Sequence, residues 1–107
     1  MIEVNDSDFD ETILDSDNFS LVIFVGSHCS GCHALLKEIE KYEGDYDALF
    51  AVYSIDNNKE MANKYNVLSL PTALIFKCGV PAKQISGYHD GYEIKRVLDD
   101  YFAKLIK

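Results

Sequence analysis

Leu21-Val22-Ile23-Phe24-Val25-Gly26-Ser27-His28-Cys29-Ser30-Gly31-Cys32 is the stretch on which the fold turns. Its first five residues are continuously apolar and rich in β-branched side chains, and Gly26-Ser27 closes the run. Such a run suits a strand covered on both faces, so residues 21–25 are expected to be the central strand of a sheet. From Ser30 to about Tyr42 the period changes. Cys32, Leu35, Leu36, Ile39 and Tyr42 recur at helical spacing, while Lys37, Glu38, Glu40 and Lys41 occupy the other face, so a helix begins at the cysteine pair.

Working outward from this unit, Leu49–Ile55 has the character of a second buried strand and Asn58–Tyr65 of a short helix. Thr72–Phe76 and Ala82–Ser86 form a hairpin about Cys78-Gly79, and Ile94, Val97, Leu98, Tyr101 and Leu105 mark one stripe of a C-terminal helix. Towards the N-terminus, Phe9, Ile13 and Leu14 stand behind the candidate caps Asp6 and Ser7, which predicts a short first helix. The acidic residues between Asp6 and Asp17 are expected to form its solvated face. Strands alternating with helices, then a hairpin and a last helix, give an α/β fold with a mixed central β-sheet and helices packed on both faces.

A chain of 107 residues accommodates one domain, here 1–107, and 48% hydrophobic with 26% charged residues excludes disordered or low-complexity readings. Asp and Glu number 18 against 10 Lys and Arg, a net charge of -8 that repels phosphate backbones and anionic headgroups. Nucleic acid and membrane surfaces are therefore not expected as partners. No apolar run approaches the ~20 residues of a membrane span. Met1-Ile2-Glu3-Val4-Asn5-Asp6 lacks the pattern of an export signal, which points to a cytoplasmic protein. Three cysteines do not make a disulfide scaffold, and in a reducing compartment a pair persists when it is catalytic or binds metal.

Attention thus falls on Cys29 and Cys32. The unpaired N–H groups and positive dipole end of a helix favour a thiolate, which makes Cys29 the candidate nucleophile. Two intervening residues put both sulfurs within disulfide reach on one helical turn, and the apolar partners of Cys32 draw it inward as the candidate resolving thiol.

These residues resemble the thioredoxin family. So do Ser54-Ile55-Asp56, Tyr65-Asn66-Val67-Leu68-Ser69-Leu70-Pro71-Thr72, Phe76-Lys77-Cys78-Gly79, Gly87 and the terminal helix, so the likeness covers nearly the whole chain. The resemblance implies a thioredoxin fold and a thiol-disulfide oxidoreductase that reduces protein disulfides. It also implies a monomer that needs no metal or organic cofactor of its own, with electrons supplied by a separate thioredoxin-reductase-type donor. It further implies a cis Leu70–Pro71 bond beside the sulfurs, Leu70 backbone groups that pair with an extended substrate, and room for that substrate over Gly87.

The departures are equally specific. His28-Cys29-Ser30-Gly31-Cys32 replaces Trp-Cys-Gly-Pro-Cys, and Ile23 and Val52 stand where the family carries a buried aspartate and its lysine partner. His28 and His33 are consequently candidates for thiolate stabilisation or proton relay; otherwise they are a surface contact and an exposed helix residue. His89 is expected in a loop. Cys78 is expected to be a turn residue, with a regulatory or intermolecular disulfide as the alternative.

Competing readings come from other classes. Cys29-Ser30-Gly31-Cys32-His33 also matches the haem-attachment pattern CxxCH, which normally accompanies export. A zinc or iron–sulfur module would use Cys29, Cys32, a histidine and Cys78, but neither a second CxxC nor a spaced histidine pair is present. A thioredoxin-like module that binds peptides without turnover would not require a resolving thiol.

Overall fold

The structure, a computed structural model, describes residues 1–105. Five strands, β1 (Ile2–Val4), β2 (Phe19–Val25), β3 (Leu49–Ser54), β4 (Thr72–Lys77) and β5 (Val80–Ser86), lie in the order β1-β3-β2-β4-β5. β1 and β2 run parallel to β3, β4 runs antiparallel to β2, and β4 and β5 form the expected hairpin. The sheet is therefore mixed, with β2 at its centre.

Alternation along β2 distributes the core. Leu21 and Ile23 face Leu35 and Ile39 of α1 (Ser30–Glu40) and Ile94 and Leu98 of α3 (Gly91–Tyr101). Val22 and Phe24 face the other way, towards Phe9, Ile13 and Met61, the last carried by α2 (Glu60–Lys64). Ile23 is fully buried, as a strand covered on both faces requires. The helices pack on both faces, as the sequence predicts.

The structure adds one element and corrects two expectations. β1 has no counterpart in the sequence reading, because a strand of three residues with only Val4 buried is too short to show a period. The first helix is a π-helical segment, Asp10–Leu14, and Asn5 organises its entry: its side-chain carbonyl accepts from Ser7 and Asp8 N–H at 2.9 and 3.1 Å. Asp6 is committed elsewhere. Its carboxylate accepts from the Tyr53 hydroxyl and from the N–H groups of Lys59, Glu60 and Met61, capping α2 across 53 to 55 residues of sequence. Finally, α3 ends at Tyr101, since Phe102 turns extended and buries its ring against Phe19, Tyr46 and Phe50. Leu105 therefore leaves the predicted stripe and is exposed, with its N–H bonded to the Asp45 carbonyl at 2.9 Å.

The two described ends meet at the turn after α1. The Met1 ammonium pairs with Glu43 at 2.8 Å, and Lys104 bridges to Tyr46. Asp99 holds this corner: it accepts from the Tyr46 hydroxyl, Lys95 and Lys104. Lys95 and then the Tyr46 hydroxyl set its carboxyl down to about 2.

Candidate active site

β2 ends at Val25, four residues later the chain reaches Cys29, and α1 starts at Ser30. Gly26 and Ser27 make the connection; Asp56 anchors it by accepting from the Ser27 N–H and hydroxyl at 3.3 Å. Cys29 is the N-cap residue of α1 in extended conformation, and the Cys32 N–H donates to its carbonyl at 3.3 Å. The Cα atoms of Cys29 and Cys32 are 5.4 Å apart and the sulfurs are joined in a disulfide.

The two cysteines differ in access. Cys29 is half-buried on the helix tip, whereas Cys32 is only 4% exposed and sits on the buried side of α1. An incoming group therefore meets Cys29 first. Cys29 also opens on a cleft of about 600 Å³ walled by Ile55, Val67, Leu68 and Leu70, of which Leu68 is 89% exposed.

The Leu70–Pro71 bond is cis and Pro71 is buried. Pro71 lies against the cysteine turn: a Cβ placed on Gly31 would stand 3.3 Å from Pro71 Cδ and 3.8 Å from Tyr88 Cβ. The Gly87 N–H donates to the Pro71 carbonyl at 2.7 Å, so Cys29, Leu70, Pro71 and Gly87 converge on one end of the sheet. Among the described residues no hydrogen bond engages the backbone N–H or C=O of Leu70.

Gly87 has φ +82°, and nothing lies within 4 Å of where its Cβ would be. Gly87→Ala is thus expected to cost about 1–2 kcal/mol through backbone conformation alone. Urea melts should show a lower midpoint with an unchanged slope.

His28 is exposed and lines the cleft, while His33 is exposed on the first turn of α1. Among the described residues neither ring is bonded to either sulfur. His89 lies in the loop before α3, with its ring between Glu93 Oε2 at 3.1 Å and the Ser86 carbonyl at 3.3 Å. Beneath the site, Ile23 and Val52 are direct register neighbours, so an apolar pair occupies the two positions where the resemblance would put a carboxylate and an ammonium.

Cys78 is free, exposed and tied to the opposite end of β2: its N–H donates to the Asn18 carbonyl and its thiol to the Asp17 carbonyl. The seven residues of β2 separate that end from Cys29, about 20 Å at ~3.3 Å per residue. Cys78 therefore cannot join Cys29 and Cys32 around one metal ion. Among the described residues no three His, Cys, Asp or Glu side chains converge on such a site.

Comparison with known proteins agrees with this geometry. The thioredoxin of Staphylococcus epidermidis is 33% identical over 103 residues, covering 94% of this chain and 97% of the relative. Thioredoxin 2 of Chlorobaculum tepidum is 36% identical over 103 residues, covering 94% of each. The family described as Thioredoxin matches residues 1–100, a span that takes in the cysteine pair, Pro71, Gly87 and nearly all of α3. The chain belongs to the thioredoxin family.

Proposed function

We propose that this protein reduces protein disulfides with Cys29 as nucleophile and Cys32 as resolving thiol. The observation that carries the assignment is the asymmetry of the pair. Cys29 stands at the positive end of an 11-residue helix beside an open cleft, and Cys32 is buried behind it.

In the reduced protein, the Cys29 thiolate attacks one sulfur of a substrate disulfide. The substrate S–S bond breaks, one substrate thiolate departs and takes a proton from solvent, and a Cys29–substrate disulfide remains. Cys32 then loses its proton and attacks Cys29 Sγ, releasing the second substrate thiolate. The substrate gains the electron pair that the protein dithiol loses, and the protein is left with the disulfide seen here. A separate thioredoxin-reductase-type donor returns it to the dithiol.

Leu70, with its backbone N–H and C=O uncommitted, and Pro71 and Gly87 beside it, would receive the substrate as an extended segment. His28 and His33 reach water, so either would take up the Cys32 proton by way of solvent. The described helices include none long and apolar enough to cross a membrane. A single domain over 1–107, acting as a cytoplasmic monomer, completes this reading.

A glutathione redox titration, read by mass after alkylation, tests it. Cys29 and Cys32 should pass together and reversibly from two alkylated thiols to none, while the exposed Cys78 stays alkylated throughout. Alkylation of Cys29 and Cys32 at every glutathione ratio would overturn the assignment.

A further inference from the structure

Although the chain carries a net charge of -8, among the described residues no carboxylate lines the cleft beside Cys29. Among the described residues, Lys59 is the one lysine or arginine in its lining, and His28 is the only other titratable group there apart from Cys29. Among the described residues no carboxylate lies within ion-pair distance of Lys59 Nζ. The acidic groups around it are already engaged or stand outside the cleft. Asp6 takes the backbone N–H groups of α2, Asp56 takes Ser27, and Glu60 does not line the wall. The N-terminus of α1 opens on the same space and adds positive potential.

We infer that Lys59 selects substrates with an acidic residue near the reacting cysteine, in an otherwise apolar extended segment that meets Leu68 and Ile55. The inference rests on the disulfide-reductase reading and refines its substrate class. It also separates two effects that net charge alone confuses. The protein's overall charge slows any acidic partner at long range, an effect screened beyond ~8 Å at physiological salt, whereas contact in the cleft favours the acid.

Two disulfide peptides of identical composition and zero net charge test it. One carries Asp within three residues of the cysteine and Lys far from it; the other exchanges them. Each kcat/KM is divided by the peptide's rate with dithiothreitol, which removes the effect of the nearby charge on the sulfur chemistry itself.

The Asp-proximal peptide should be favoured about threefold, the scale of one solvent-exposed ion pair. Lys59→Gln should bring the ratio to about one and Lys59→Glu should invert it. Lys64→Glu, on α2 but outside the cleft lining, should leave the ratio as in wild type. A wild-type ratio of one, or a ratio unmoved by Lys59→Glu, overturns the inference while leaving disulfide reduction intact. Failure of the protein to reduce either peptide overturns the parent reading and this one with it.

Discussion

Cys29→Ser is expected to abolish disulfide reduction, with turnover falling on the order of a thousandfold or more, as when a covalent nucleophile is removed. Cys32→Ser should stop turnover as well, but at a different stage. The first attack survives, no second thiol resolves it, and a substrate-linked species accumulates. Non-reducing electrophoresis and intact mass distinguish the variants: an adduct at Cys29 in Cys32→Ser, and none at the active pair in Cys29→Ser. The expectation follows from access, because Cys32 is 4% exposed and a protein substrate cannot reach it before Cys29. Equal trapping in both variants would contradict the roles. Performing the test in a Cys78→Ala background removes the exposed third thiol from the readout.

The second large effect concerns stability. Asp6→Ala removes an acceptor shared by the Lys59, Glu60 and Met61 N–H groups and the Tyr53 hydroxyl, which lies 2.6 Å away. Loss of a cap costs about 1–2 kcal/mol, and a buried hydroxyl left without an acceptor, though it still accepts from the Met61 N–H at 3.1 Å, adds about 1 kcal/mol. For a domain of this size the combined loss lowers Tm by about 10–20 °C.

The same residue makes the effect pH-dependent. Burial opposes ionisation of Asp6, but the Tyr53 hydroxyl and the three backbone donors outweigh it and hold its carboxyl below the ordinary 3.8. The corresponding tyrosine is pushed up to about 12, by burial first and then by Asp6. Since the folded carboxyl is the stronger acid, its contribution is complete above the unfolded value and fades as pH falls through the folded one. The difference in urea midpoint between wild type and Asp6→Ala should therefore be full at pH 7 and shrink below pH ~4. A difference independent of pH would show that the charge of Asp6 plays no part.

The elements with a clear period were legible in the sequence, and so was the cysteine pair. Leu21–Val25 and the stripe through Leu35 and Ile39 carry strong local patterns, and the chemistry of a CxxC at a helix start follows from its neighbours along the chain. What escaped depends on partners distant in sequence. Asp6 has the composition of a local cap, yet its ligands lie at 53 and 59–61, where no spacing rule points. Phe102 continues the aromatic content of the last helix, but three rings from other elements pull it out of helical geometry. Lys59 is one lysine among several until the fold sets it in a cleft without carboxylates.

The convergence of Met1 and Leu105 on the turn at Glu43–Tyr46 has a practical corollary. β1 and β2 run the same way, so this corner is at the rim where the parallel strands begin, and Cys29 is at the rim where they finish. A tether attached at this corner, to an electrode, a bead or a fused neighbour, would orient the molecule with its sulfurs facing outward.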